Sequence, residues 1–188
     1  MELDEAINSR QSIHSFKSKK VSWKEVLEAV HAALQGPAAG NKNHLSFLIV
    51  EDSNRINKLA EYANQSWICD AGIVIVVCSD DSDLEKIYGT RGRVYSRQQA
   101  GAAIQNFLLK ITDMGLAACW VGSYSDELIK QSLDIPSHIQ IEALIPVGYE
   151  SGKSVKKKKK SLENSIFWEN WDNRKRPTLI EEGPEKIE

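Results

Sequence analysis

The segment Gly72-Ile73-Val74-Ile75-Val76-Val77-Cys78 runs without a single charged or amide side chain. Successive side chains of a strand point to opposite faces, so a run that is apolar at every position is apolar on both faces and belongs in a sheet interior. It is the candidate central strand. It is also the longest strongly apolar run in the chain, far short of the roughly 20 residues that a membrane-spanning helix needs, so no membrane span is expected.

Signals for helices and further strands flank it. Leu3, Ala6 and Ile7 mark a short amphipathic helix ending near Arg10. Ser22 with Glu25 forms a capping box that opens a second helix, whose expected buried face is Val26, Leu27, Val30, Ala33 and Leu34. Gly36-Pro37 stops that helix, because proline lacks an amide donor and disfavours helical geometry in the residue before it. The small-residue loop Pro37-Ala38-Ala39-Gly40-Asn41 then leads to a strand over 46–51, and Ile56, Leu59, Ala60 and Ala63 lie on one face of a third helix. The polar stretch 79–96 sets Gly89 and Gly92 among Tyr88, Arg91, Arg93 and Tyr95, which predicts an irregular surface excursion of the kind that borders a site. Ala100, Ala103, Ile104, Phe107, Leu108, Ile111 and Met114 recur at helical spacing and end at Gly115, a long core helix of about 20 residues. LAACWVG at 116–122 is the next strand, 125–133 a helix capped by Ser125, and 139–148 the last strand.

Beyond Gly148 the chain turns charged and loses apolar periodicity, yet keeps Ile166, Phe167, Trp168 and Trp171. A tail too polar to form its own core while carrying large apolar residues is expected to pack as an arm on another surface, either this body or a second copy. For 188 residues the expected organisation is one body, 1–150, and an arm, 151–188. The opening MELDEAINSR has no apolar stretch behind a basic start, so a cytoplasmic protein is expected. Cys69, Cys78 and Cys119 are widely spaced with no CxxC pairing, which fits reduced, mostly buried thiols and neither a disulfide framework nor a metal site. A net charge of -2 argues against a dedicated nucleic-acid binder, which is usually basic overall.

Four features carry chemistry, and each has a plain alternative. In RQSIHSF at 10–16, Arg10, Ser12 and His14 leave a helix end and, if extended, alternate onto one side, with Phe16 continuing it. A guanidinium, a hydroxyl and an imidazole so placed can clasp a phosphate, or be a solvated segment. The loop at 37–41 is either a tight turn or a place where missing side chains let a flat ligand meet the backbone. Cys119-Trp120-Val121-Gly122 reads as a core strand end or as amides facing a ligand. The five lysines at 156–160 read as a solvated run or as phosphate contacts, and oligonucleotide phosphates are one target that salt-sensitive binding would reveal. GYESGKS at 148–154 is one residue short of a P-loop, and GTRGRV lacks the strand-to-helix setting of a dinucleotide fingerprint.

Taken in order, these segments resemble the nitroreductase family. RQSIHSF resembles its opening R-x-S-x-[RK]-x-F. GPAAGNKNHLSFLIV at 36–50 resembles A-P-S-x-x-N-x-Q-x-x-x-F-x-x-V, and RQQAGAAIQNFLLKITDMGLAACWVG at 97–122 resembles a long helix running into G-x-x-x-C-W-[IV]-G. The likeness continues through IPVGYE into the basic segment and the tryptophan-containing tail.

The resemblance implies an α+β, three-layer α-β-α sandwich with a central mixed sheet, in a homodimer whose C-terminal arms are exchanged. It implies bound FMN, NAD(P)H as reductant, and ping-pong transfer to a small oxidant such as a nitroaromatic or a quinone. Dehalogenation or enone reduction is an alternative on the same fold, and a flavin-binding or nucleic-acid-binding module without turnover lies further off. By position, Arg10, Gln11, Ser12 and His14 would contact the phosphate and ribityl chain, with Lys157 and Lys159 closing over the phosphate. Pro37, Ala38, Ala39, Asn41 and Asn43 would lie along the flavin from the partner subunit. Cys119, Trp120, Val121 and Gly122 would approach the ring through backbone atoms, with Gln99 a further contact from the long helix. Tyr88, Arg91, Tyr95 and Tyr124 are candidates for the substrate side, and no catalytic side chain is expected because the flavin carries the chemistry. Three departures stand out: His14 replaces an arginine or lysine, Asn43 a glutamine and Ala38 a serine. The first exchanges a permanent charge for a titratable one, so the grip on phosphate is expected to weaken as pH rises, with the lysine run offering alternative cations.

Overall fold

The structure is a computed structural model that describes residues 1–152, 154 and 158–175. The chain divides into two compact units, residues 1–154 and 155–188.

Among the described residues, six α-helices and five strands make the first unit: α1 Leu3–Ser9, β1 Phe16–Lys17, α2 Trp23–Leu34, β2 Leu45–Val50, α3 Ser53–Tyr62, β3 Ile73–Ser79, α4 Ser82–Tyr88, α5 Arg91–Asp113, β4 Ala117–Ala118, α6 Asp126–Ser132 and β5 Gln140–Glu150. The expected central strand is β3, buried at every position. It lies between β2 and β5 in the order β1-β5-β3-β2, with β4 also on β5. Its two faces have separate covers. Val74, Val76 and Cys78 pack with Ile56, Leu59 and Ala60 of α3 and Ile129 of α6. Ile73, Ile75 and Val77 pack with Val26, Ala29 and Ala33 of α2 and Ala103, Ile104 and Phe107 of α5. The result is a three-layer α-β-α arrangement. Every pairing between these strands is antiparallel, and parallel character enters through the single bridge of Ser12 with Ala118.

Local signals explain the helix starts. Ser22 and Glu25 form the expected capping box on α2, and the Asp52 carboxylate accepts the Arg55 amide at 2.9 Å to open α3. Ser125 precedes α6 without a side-chain capping bond. The segment 116–122 is regular only at Ala117 and Ala118, but its register on β5 continues through Cys119 N–H to the Pro146 carbonyl and a reciprocal pair between Val121 and Leu144.

Three expectations are corrected. Residues 79–96 are not irregular: α4 occupies 82–88 and α5 begins at Arg91. Their inner face is built from Leu84, Gly92 and Ser96, so helical periodicity is there without an apolar stripe to announce it. Phe16 does not continue the side of Ser12 and His14; it is buried and joins the core with Ile13, while Ser12 and His14 are exposed. The alternation breaks because only Phe16 and Lys17 enter a ladder. Leu27 and Leu34 of α2 are exposed, as are Leu3 and Ile7 of α1; Ala29 takes a place in the core instead.

Gly92 is the tightest crossing. A Cβ there would stand 2.4 Å from the backbone carbonyl of Leu84 and 2.6 Å from the Glu85 nitrogen, and backbone cannot swing aside. Gly92→Ala is expected to cost about 1–3 kcal/mol through forced separation of α4 from α5. A lowered midpoint in chemical denaturation checks it, and an unchanged midpoint would refute the crossing.

Candidate functional site

The segment after α1 is held against β4. Ser12 bridges Ala118, and the Ile13 amide donates to the Ala118 carbonyl at 3.1 Å. Ile13 points into the core, which leaves its neighbours Ser12 and His14 outward. Arg10, at the end of α1, and Gln11 line a cleft of about 310 Å³ with Ser9, Thr112, Ala118 and Glu150. The Gln11 amide donates to the Ser154 hydroxyl at 2.5 Å, and that hydroxyl donates to the Glu150 carboxylate at 2.6 Å. His14 has its Nε2 3.2 Å from the Cys119 sulfur and its ring edge-on to Trp67 at 4.7 Å. The structure thus brings Arg10, Gln11, Ser12, His14 and Cys119 into one neighbourhood.

Past Cys119, the amides of Cys119 and Val121 are committed to β5. Successive amides of an extended segment alternate in direction, so those of Trp120 and Gly122 face away from the sheet. Trp120 and Gly122 are both exposed. A ligand reaching this edge therefore meets the backbone of 120 and 122.

The loop after α2 makes a single 3-10 turn over Ala39–Asn41, with φ of 57° at Gly40 and 55° at Asn41. Glycine and asparagine are the residues that accept such left-handed geometry most readily. The loop runs close against α4 and α5. A Cβ on Gly36 would lie 3.4 Å from the Ala103 nitrogen, and one on Gly40 would lie 2.9 Å from the Tyr88 hydroxyl oxygen. His44 Nε2 lies 2.8 Å from the Ser96 hydroxyl. Asn43 spends its side-chain oxygen on the Leu45 amide, at 3.2 Å.

Tyr88 also stands edge-on to Tyr95 at 5.2 Å, and the Arg91 guanidinium lies 5.5 Å over the Tyr95 ring. Three of the four substrate-side candidates thus form one cluster beside Gly40. Tyr124 does not join them: its hydroxyl donates to the Ile141 carbonyl at 2.9 Å, and burial first, then Asp126 and Glu142, pushes its ionisation upward. Gln99 is buried on α5, and its Oε1 has no hydrogen-bond partner among the described residues. Lys159 is exposed in the second unit, and Lys157 lies outside the described residues. Within that unit Phe167 stacks on Trp171 at 4.6 Å.

A polar network that the sequence did not announce sits where β3 meets α5. Asp81 accepts from the Ser96 hydroxyl at 2.6 Å and from Arg97 at 2.5 Å. Arg97 also lies 3.4 Å from Glu142, whose carboxylate accepts from the Ser79 hydroxyl at 2.6 Å. Burial alone would raise the Asp81 ionisation, but the bonds from Ser96 and Arg97 and the guanidinium charge outweigh it and hold the carboxyl below its usual range. Residues 44, 81 and 96 share no local spacing; the one available signal was the acidic pair Asp80-Asp81 after an apolar strand.

The comparisons with known proteins follow the same lines. A family model described as the nitroreductase family matches residues 7–68 and 58–149. A protein of Methanothermobacter thermautotrophicus, provisionally named NADH dehydrogenase/NAD(P)H nitroreductase, is 32% identical over 154 residues, 79% of this chain and 78% of its own length. A Bacillus subtilis protein named as an NAD(P)H-using FMN reductase is 22% identical over 172 residues, 83% of this chain and 69% of that one. Among solved structures, a Parabacteroides distasonis protein, provisionally named NADH dehydrogenase/NAD(P)H nitroreductase, superposes with a TM-score of 0.79 at 26% identity, covering 90% of this chain and 98% of that one.

A carboxyl whose ionisation is depressed on folding stabilises the fold above its unfolded value, near pH 4, and that contribution is lost as pH falls through the folded value. Asp81→Asn is therefore expected to lower stability at neutral pH and to flatten the loss of stability below about pH 4. Thermal unfolding followed across pH checks this; equal acid slopes in the two proteins would contradict it.

Proposed function

The chain belongs to the nitroreductase family, and from that premise we propose that it is an FMN-dependent oxidoreductase. It passes electrons from NAD(P)H to a small oxidant such as a nitroaromatic or a quinone. The observation that carries this reading is the pinning of residues 10–14 along β4, which gathers a guanidinium, an amide and a hydroxyl beside the exposed backbone of 120 and 122.

The residues fit a flavin mononucleotide. Arg10, Gln11, Ser12 and His14 supply donors for its phosphate and ribityl chain, with Lys157 and Lys159 of the arm closing over the phosphate. Charge-assisted bonds of this kind are roughly twice as strong as neutral ones. The small residues Pro37, Ala38 and Ala39, with Asn41 and Asn43, line the ring from a partner subunit, while Cys119, Trp120, Val121 and Gly122 meet it through backbone. The buried Oε1 of Gln99, without a partner among the described residues, is an acceptor of the sort that a hydroxyl or ring N–H satisfies. Tyr88, Arg91 and Tyr95 form the substrate side. When bound, FMN would supply the hydride and electron chemistry, so this reading needs no catalytic side chain.

A homodimer is part of this reading, and what one copy leaves uncovered supports it. Leu3, Ile7, Leu27 and Leu34 are exposed on α1 and α2, and Leu3, Ala32 and Leu109 line an apolar cleft of about 380 Å³ between α1, α2 and α5. A second copy buries this surface, and the arm 151–188 places Phe167, Trp168 and Trp171 on the partner.

If reductant and oxidant take turns over one ring, initial-rate plots at several oxidant concentrations will be parallel; intersecting lines would exclude ping-pong turnover. Removing one charged phosphate contact costs about 1.5 to 3 kcal/mol, so Arg10→Ala is expected to weaken FMN binding roughly 10- to 150-fold. Flavin retention equal to that of the unaltered protein would sink the phosphate assignment.

A further inference from the structure

Hydrogen counting around His44 assigns it a role that no motif marks. Asp81 is a carboxylate that accepts from Ser96, so the Ser96 hydroxyl spends its one hydrogen there, at 2.6 Å. It has only lone pairs left for His44, whose Nε2, at 2.8 Å, must therefore carry a proton. The other ring nitrogen, Nδ1, lies 3.3 Å from the Lys42 carbonyl oxygen, which is also an acceptor alone. The ring thus spans the Ser96 hydroxyl on one side and the Lys42 carbonyl on the other. The charged groups joined to this chain are Asp81, Arg97 and Glu142.

Lys42 closes the turn over Ala39–Asn41. Loop 36–44 passes close to the helices at Gly36 and Gly40, and His44 adds a polar contact to Ser96. The main chain is fixed next to it by the Asp80 amide donating to the His44 carbonyl at 3.1 Å. Rotating His44 away would cost the buried Ser96 hydroxyl its donor and free the Lys42 carbonyl.

We propose that His44 is a positioning residue: a latch that ties the carbonyl of Lys42, through the Ser96 hydroxyl, to buried Asp81, and so fixes the 37–43 loop in the shape that receives the flavin. The role in flavin binding rests on the reading of the loop given under Proposed function; the latch itself does not. His44 touches neither cofactor nor substrate in this account and acts through the loop.

The test uses the full chain with three variants, His44→Ala, His44→Gln and His44→Ala/Ser96→Ala, and two readouts. Amide hydrogen exchange across 37–43 is measured on FMN-free protein, and FMN affinity is measured by fluorescence with visible circular dichroism of the bound flavin. His44→Ala is expected to speed exchange in the loop while leaving β3 protected, to weaken FMN binding about 3- to 10-fold, the span that one hydrogen bond supports, and to alter the flavin dichroism. Glutamine keeps an N–H where Nε2 lies, so His44→Gln should recover most of the affinity. The double variant should be no worse than His44→Ala, because the two residues form one chain. Unchanged loop exchange in His44→Ala overturns the latch, as do additive losses in the double variant. Faster exchange with unaltered FMN affinity overturns its role in flavin binding. Failure of the unaltered protein to take up FMN would instead overturn the functional reading, while the exchange data still judge the latch.

Discussion

Burial of β3 on both faces is the constraint from which the rest of the body follows. Its odd and even side chains face separate apolar layers, one closed by α3 and α6 and the other by α2 and α5. A fully buried strand must also satisfy its backbone on both edges, which β2 and β5 do. The outer edge of β5 is then left to receive short segments, and β4 and residues 119–121 attach there. The candidate site is made of those attached segments. Arg10, Ser12 and His14 lie beside Cys119 because residues 12 and 13 bond Ala118 and the segment 117–121 is itself anchored to β5.

Much of this was legible in the chain. The doubly apolar run identified β3, the capping box identified the start of α2, and the apolar stripe through Phe107 and Ile111 identified the core part of α5. The register of RQSIHSF against LAACWVG was not readable from spacing, since each stretch alone also suits a solvated segment or a core strand. Their juxtaposition is a tertiary fact, created by β5, and resemblance supplied it in advance where periodicity could not.

The parts that escaped sequence reading share a physical cause. Helix α4 and the first turns of α5 pack through Gly92, Ser96 and Asp81, small and polar groups that satisfy one another by hydrogen bonds instead of burying apolar area. Periodicity measures hydrophobicity, so a buried polar seam reads as a loop. His44 was missed for the same reason: it meets Ser96, 52 positions away, and reaches Asp81 only through that hydroxyl. The exposed Leu27 and Leu34 fail in the opposite sense, since a stripe that is apolar in sequence marks burial without saying whether this copy or another supplies it.

The central claim is that these anchored segments hold a flavin that is reduced by NAD(P)H and reoxidised by a small acceptor. Its most direct test is the visible spectrum of the purified full chain under anaerobic conditions, before and after NADH or NADPH and then a quinone. The account predicts a yellow protein, or one that becomes yellow with added FMN, whose colour bleaches with the nicotinamide and returns with the quinone. A colourless protein that also refuses added FMN would contradict it.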